Sequence, residues 1–116
     1  MADREQLHDL VGEVFDFADL LAYQPGAIVS RALVDDEAVT VTVFAFDEAE
    51  RLSEHTAPHD AILQVVDGTA RITVSGEDHE VAAGETIVMP ADEPHAVEAV
   101  SPFKMVLTMI RSPTSS

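Results

Sequence analysis

The feature that most constrains this chain is a succession of short runs rich in β-branched residues, separated by acidic residues or glycine. Runs of this length and composition predict β-strands. In one of them, Val39, Val41 and Val43 alternate with threonine, a pattern typical of an antiparallel sheet that is buried on one face. The predicted strands cover residues 27–34, 38–46, 61–66, 69–75, 79–83, 86–89, 95–99 and 104–111. About eight short strands without a βαβ alternation predict an all-β sandwich or barrel.

Turn signals connect these strands. Asp67-Gly68 is the strongest hairpin signal in the chain, and Gly76-Glu77-Asp78 predicts a second turn. The alternation of Met105, Leu107 and Met109 with polar neighbours predicts that the last strand presents one face to the interior. The chain therefore contains the elements of one antiparallel domain.

The residues before the strands form an N-terminal extension, residues 1–22. Asp3 followed by Gln6 resembles a helix-capping pair, and residues 16–21 predict a second short turn. Apolar residues recur there at helical spacing: Leu7, Leu10, Val11, Val14 and Phe15. We therefore expect a short helical or extended segment at 1–22, one barrel at 23–111 and a disordered tail at 112–116.

Length and charge limit the possible partners. With 116 residues, 47% of them hydrophobic, the chain can form one self-sufficient core. Twenty-two Asp and Glu face six Lys and Arg, and the net charge of −16 disfavours nucleic acid and anionic membranes. No apolar run approaches the ~20 residues needed to span a bilayer, and the start does not resemble a secretory signal. These observations predict a cytoplasmic location.

The acidic residues are bunched, for example at residues 35–37 and 47–50. One interpretation is a solvated surface that keeps the protein in solution. The other is adaptation to a salt-accumulating, halophilic cytoplasm, because the chain has a single lysine, Lys104, and salt of molar strength shortens electrostatic screening to ~3 Å. The sequence leaves both interpretations open.

The chain has no cysteine, so any metal must be held by His, Asp or Glu. His8 and His79 have the positions of surface residues. His55 and His59 lie at the entry to one predicted strand, and His95 follows a proline-rich corner. Antiparallel topology could bring these three histidines together.

The stretch from residue 46 to residue 95 resembles the cupin superfamily, whose members are small antiparallel jelly-roll barrels. The first family motif is Gly, five residues, His-x-His, three or four residues, Glu, six residues and Gly. The second is Gly, five residues, Pro-x-Gly, two residues, His, three residues and Asn. The motif positions that match are His55, Gly68, Gly84, Pro90 and His95. The positions that differ are Ala49, Ala57, Ala61, Asp92 and Ala99, which replace glycine, histidine, glutamate, glycine and asparagine respectively.

The resemblance implies an all-β antiparallel jelly-roll barrel and a homodimer whose partner covers exposed edge strands. In cupins with complete motifs, three histidines and a glutamate hold a divalent metal. Here His55 and His95 keep two ligand positions, and His59 lies out of register with the third. In an extended strand His59 would point inward, whereas Pro58 would place it at the barrel rim.

Two functions follow from this resemblance. In the first, His55, His59 and His95 bind a divalent transition metal, Mn, Fe, Ni, Zn or Cu, and the barrel binds or transforms a small organic molecule. In the second, the barrel is a metal-free, non-catalytic module that binds or senses a small-molecule ligand. The sequence identifies neither a catalytic residue nor an organic cofactor, and the fold by itself does not choose between the two functions.

Overall fold

Nine β-strands form most of the structure, a computed structural model that describes residues 4–111. In chain order the strands are β1 (Ile28–Asp35), β2 (Val39–Phe46), β3 (Arg51–His55), β4 (Asp60–Asp67), β5 (Thr69–Val74), β6 (Glu77–Ala82), β7 (Thr86–Met89), β8 (His95–Ala99) and β9 (Phe103–Ile110). They form a five-stranded sheet in the order β1-β2-β9-β4-β7 and a four-stranded sheet in the order β3-β8-β5-β6. Every pairing is antiparallel, which confirms the predicted all-β architecture.

One strand, β3, was absent from the prediction. Its sequence Arg-Leu-Ser-Glu-His has no β-branched residue, and Leu52 is its only partly buried side chain. The strand forms because it pairs with β8, with Arg51 opposite Glu98 and Leu52 opposite Val97. Tertiary pairing at a sheet edge therefore overrides weak local propensity.

The hairpin predicted at Asp67-Gly68 is wrong. The strands on either side, β4 and β5, belong to different sheets, so the chain turns a corner there instead of folding back. Gly68 has φ +74°, and a Cβ at this position would lie 2.0 Å from the carbonyl oxygen of Pro102. Glycine is required because a neighbouring backbone approaches closely, which a sequence cannot distinguish from a hairpin signal.

The turn predicted at Gly76 is confirmed as a tight hairpin between β5 and β6. Val74 pairs with Glu77, which leaves Ser75 and Gly76 as the two turn residues. Both have positive φ, +51° and +83°. This is the backbone conformation of a type I′ turn, whose twist suits a two-residue hairpin.

The main core lies between the two sheets. Phe46 and Phe103 pair across β2 and β9, and their rings stack with centroids 4.6 Å apart. From the four-stranded sheet, Ile72 and Val97 pack against the same core. Met105 is buried there, and Leu107 and Met109 pack against it, as the alternation along the last strand predicted.

A second apolar cluster covers the outside of the five-stranded sheet. Leu33, Val43 and Val106 are buried there under apolar side chains of the N-terminal segment. That segment contains α1 (Glu5–His8) and a 3₁₀ turn at Phe17–Asp19. The helix is shorter than the apolar spacing suggested, and Val11 and Val14 are exposed. The predicted capping residue Asp3 and the tail at 112–116 lie outside the described residues.

Within the described part of the chain, no helix has the length and apolar character needed to cross a membrane.

Candidate functional site

His55 and His95 lie side by side at one end of the barrel. They occupy opposite positions in the register of β3 and β8, and their ring centroids are 4.4 Å apart with planes inclined at 68°. His95 belongs to the inward face of β8, with Val97 and Ala99, and only 7% of its surface is exposed. His55 is exposed at the rim. The antiparallel pairing expected from the sequence thus brings two of the three predicted site residues together.

The same ring nitrogen of both histidines contacts a backbone carbonyl. Nδ1 of His55 lies 3.0 Å from the carbonyl oxygen of Ser53, and Nδ1 of His95 lies 3.2 Å from that of Glu93. Because a carbonyl oxygen can only accept, each Nδ1 carries the proton and donates it. In the neutral rings Nε2 then carries a free lone pair, and no residue of the range 4–111 forms a hydrogen bond to it.

The environment of His95 disfavours its charged form. Burial is the largest cause and lowers the pKa of His95, the neighbouring His55 lowers this pKa further, and the hydrogen bond to the Glu93 carbonyl opposes the shift. His95 is therefore neutral at pH 7, the form in which an imidazole accepts a hydrogen bond or binds a metal.

His59 does not join this pair. It lies in the connection between β3 and β4, is partly exposed, and has a buried Nδ1 without a hydrogen-bond partner in the described structure. Among residues 4–111, no three His, Asp or Glu side chains lie close enough to hold a metal ion together. The geometry thus supplies two imidazoles and an unsatisfied third nitrogen elsewhere, so the described donor set does not fit a three-histidine centre.

The opposite wall of the barrel is apolar at this end. Ala61 is buried, pairs with Met89 on one side and Met109 on the other, and stands where the cupin motif has its glutamate. Met89 ends the strand that leads into the corner before His95. A ligand in the barrel would therefore meet imidazole nitrogens on one sheet and methyl or thioether groups on the other.

Threonine side chains also line the barrel, which the sequence analysis did not predict. Phe44 and Phe46 belong to the core between the sheets, and alternation along β2 places Thr40 and Thr42 on that same face. The valines between them face the N-terminal segment. Phe44 and Phe46 continue the every-second-residue spacing of Thr40 and Thr42. This pattern in the sequence could have predicted that the threonines face the barrel interior.

Two facing antiparallel sheets of five and four strands, with a histidine pair at one open end, define a small jelly-roll barrel. The cupin-domain family model matches residues 42–111, more than half of the chain. The chain therefore belongs to the cupin family, as the motif resemblance implied.

Solved structures agree with this assignment. A conserved protein of unknown function from Streptococcus pyogenes is 35% identical, with a TM-score of 0.85 over 89% of this chain and 90% of that one. A cupin 2 conserved barrel domain protein from Leptotrichia buccalis is 40% identical, with a TM-score of 0.78 over 80% of this chain and 45% of the other. A cupin superfamily protein from Desulfitobacterium hafniense shares the fold at 23% identity, with a TM-score of 0.83 over 87% of this chain and 93% of that one. No protein with a curated description matches the sequence.

Proposed function

We propose that the barrel binds a small organic molecule that donates hydrogen bonds to Nε2 of His55 and His95, without a metal. The observation that carries this proposal is the pair of rings 4.4 Å apart, each with its Nδ1 proton donated to a backbone carbonyl. The lone pairs of these two neighbouring rings would then accept from two hydroxyl or amine groups of one ligand. The apolar wall at Ala61 and Met89 suits a ligand with a hydrocarbon body.

A pair of matched probes tests this binding mode. Catechol has two adjacent hydroxyl donors, whereas its dimethyl ether has the same ring and no donor. In NMR titrations of protein labelled at histidine, we expect catechol to shift the Nε2 resonances of His55 and His95 together. We expect the ether to bind at least about tenfold more weakly, because it leaves both acceptors unpaired.

Two histidine variants test whether catechol binds at the His55–His95 pair. His55→Ala removes one acceptor at the exposed rim and should weaken catechol binding. His79→Ala removes an exposed histidine in β6 and should leave it unchanged. Equal affinity for catechol and its ether, or an equal loss in both variants, would contradict the proposal.

A metal-dependent barrel is the second candidate, and the buried, unpartnered Nδ1 of His59 favours it. The Nδ1–carbonyl bonds of His55 and His95 also resemble the outer hydrogen bonds that orient metal-binding histidines. His55, His59 and His95 would hold a divalent transition metal, which would supply Lewis-acid polarisation of a bound substrate. This arrangement requires His59 to turn toward the other two.

Elemental analysis of untagged protein prepared without chelator separates the two candidates. The metal-free proposal predicts no stoichiometric metal. The metal candidate predicts about one ion per chain, lost in both His55→Ala and His59→Ala. Metal retained in both variants would contradict this three-histidine site.

We also propose that the chain forms a homodimer. Four strands lie at sheet edges, β1, β7, β3 and β6, and an uncovered edge presents unpaired backbone groups to other chains. Sedimentation equilibrium should give twice the chain mass of 12.5 kDa, and a monomer at micromolar concentration would contradict the proposal. We further propose a cytoplasmic location.

A further inference from the structure

A groove lies on the outer face of the four-stranded sheet, away from the histidine pair. Its volume is about 330 Å³, and Arg51, Ser53, Arg71, Thr73 and Ala96 are among the residues that line it. Along β5, the arginine and threonine alternate with the core residues Ile72 and Val74. This alternation places the groove on the opposite face of the sheet from the barrel interior.

The groove exists because β3 is irregular. Ala96 pairs with Thr73 of β5 on one side, but no β3 residue is in register with it on the other, since the pairing of β3 with β8 shifts between Leu52 and His55. The methyl group of Ala96 fills little of the space that the shift opens. Ala96 therefore forms a shallow floor of the groove, next to a row in which Glu98 of β8 stands between Arg51 of β3 and Arg71 of β5.

Hydrogen bonds to neighbouring carboxylates hold the side chains of Arg71 and Thr73 in place. Arg71 Nη1 donates to Glu98 Oε1 at 3.2 Å, which leaves most of the guanidinium N–H groups free. Thr73 Oγ1 donates to Asp78 Oδ1 at 2.7 Å. These two bonds fix the orientation of the Arg71 and Thr73 side chains in the absence of a ligand.

Arg51 differs from the other cations of the chain. Arg4, Arg31, Arg71, Lys104 and Arg111 each have a hydrogen-bond or ion-pair partner. Arg51 has none within residues 4–111, although the chain carries twenty-two carboxylates. Arg51 is therefore an unpaired guanidinium on an acidic surface, across Glu98 from a second guanidinium in the same groove, and it is available to an external anion.

We propose that this outer groove binds a small monocarboxylate, with its oxygens on Arg51 and the free N–H groups of Arg71 and its apolar part over Ala96. A planar guanidinium fork matches the geometry of a carboxylate. Glu54 and Glu98 also line the groove, so its carboxylates equal its guanidinium groups in number. That balance favours a single negative charge with an apolar body over a compact dianion such as phosphate.

Benzoate and inorganic phosphate, titrated at constant ionic strength, are the probes. By NMR we expect benzoate to shift the backbone amides of Thr73 and Ala96 saturably at millimolar concentration, and to bind more tightly than phosphate. Arg51→Gln should weaken benzoate binding roughly tenfold or more. Arg111→Gln makes the same charge change at a residue that contacts Asp36, and should leave the affinity within about twofold.

A second variant tests the groove without changing charge. Ala96→Leu fills the floor and should abolish benzoate binding while the melting temperature stays close to that of the wild type. The proposal would be overturned if phosphate bound more tightly than benzoate, or if the two arginine variants lost equal benzoate affinity. It would also be overturned if benzoate shifted only the resonances of His55 and His95. The barrel proposal is tested at those histidines with catechol, so the two proposals fail independently.

Discussion

At the scale of the residue, two positions where the cupin motif has glycine adopt a backbone conformation that favours glycine. Ala49 and Asp92 stand where the motif has glycine, and their φ angles are +68° and +66°. The left-handed region costs an alanine roughly 1–2 kcal/mol, whereas glycine enters it without a steric penalty. These positions differ from the motif in sequence, but their left-handed backbone is the kind that glycine adopts most easily.

Ala49→Gly should therefore stabilise the protein. Relief of the left-handed strain exceeds the added entropy of the unfolded chain, and we expect a gain of about 0.5–1 kcal/mol in the free energy of unfolding. Ala83→Gly is the matched control, because Ala83 is exposed in a turn and has no positive φ. The free energy of unfolding of Ala83→Gly should fall by about 0.4–1 kcal/mol. Urea unfolding of both variants measures this difference in sign.

The lowered pKa of His95 makes stability depend on pH. Its folded-state pKa lies below the unfolded value of about 6.5, so between these two values the unfolded chain binds more protons. The contribution of His95 is thus fully present above about pH 6.5 and is lost as the pH falls through the folded-state pKa.

Two histidine variants separate the titration of His95 from that of the many carboxylates. We expect urea unfolding between pH 5 and pH 7.5 to show a smaller loss on acidification in His95→Gln than in the wild type. His79→Gln replaces an exposed histidine and should follow the wild type. Parallel pH profiles for wild type and His95→Gln would show that His95 is not the titrating group.

At the scale of the element, the N-terminal segment is fastened by cations that are scarce in this chain. Arg4 bonds Asp36, with Nε and Oδ2 2.8 Å apart, and Arg31 bonds Gln6. The single lysine, Lys104, donates from Nζ to the carbonyl oxygen of Ala18 at 2.5 Å and lies 4.8 Å from the centre of the Tyr23 ring. Half of the six Lys and Arg therefore hold a segment of low helical content against the sheet.

Lys104→Met should loosen that segment without unfolding the barrel. The change keeps the hydrocarbon chain but removes a charged hydrogen bond and a cation–ring contact, at a local cost of about 1–2 kcal/mol. Hydrogen exchange should accelerate at Leu20, whose amide bonds Phe17, and stay unchanged at Ile72 in the core. Arg51→Met removes an unpaired cation and should leave exchange at Leu20 as it is.

At the scale of the whole molecule, ion pairs compensate only a small part of the negative charge of the described residues. Among the described residues, Asp35, Asp36 and Glu98 each form a salt bridge with an arginine. The remaining charge supports either interpretation of the composition, a solvated surface or adaptation to high salt. We propose the second, because the carboxylates at residues 47–50 form none of these salt bridges and repel one another within the ~8 Å screening length of physiological salt.

Salt should therefore stabilise the protein strongly. We expect the melting temperature to rise by several degrees between 0.1 M and 2 M KCl, as screening shortens to about 3 Å or less. Glu48→Gln removes one exposed charge from the bunch at residues 47–50 and should reduce that rise. A melting temperature that is flat in KCl would favour the solvated-surface interpretation.

The local sequence by itself determined most strands and the class of fold, because side-chain alternation and turn residues act within a few positions of the chain. It located His55 and His95 through the motif, and Thr86–Met89 and His95–Ala99 have the predicted bounds. The tertiary structure decided the rest. The pairing of β3, the corner at Gly68, the inward threonines of β2 and the separation of His59 all depend on residues distant in the chain. Burial and register arise only when two sheets meet, so short-range patterns cannot encode them.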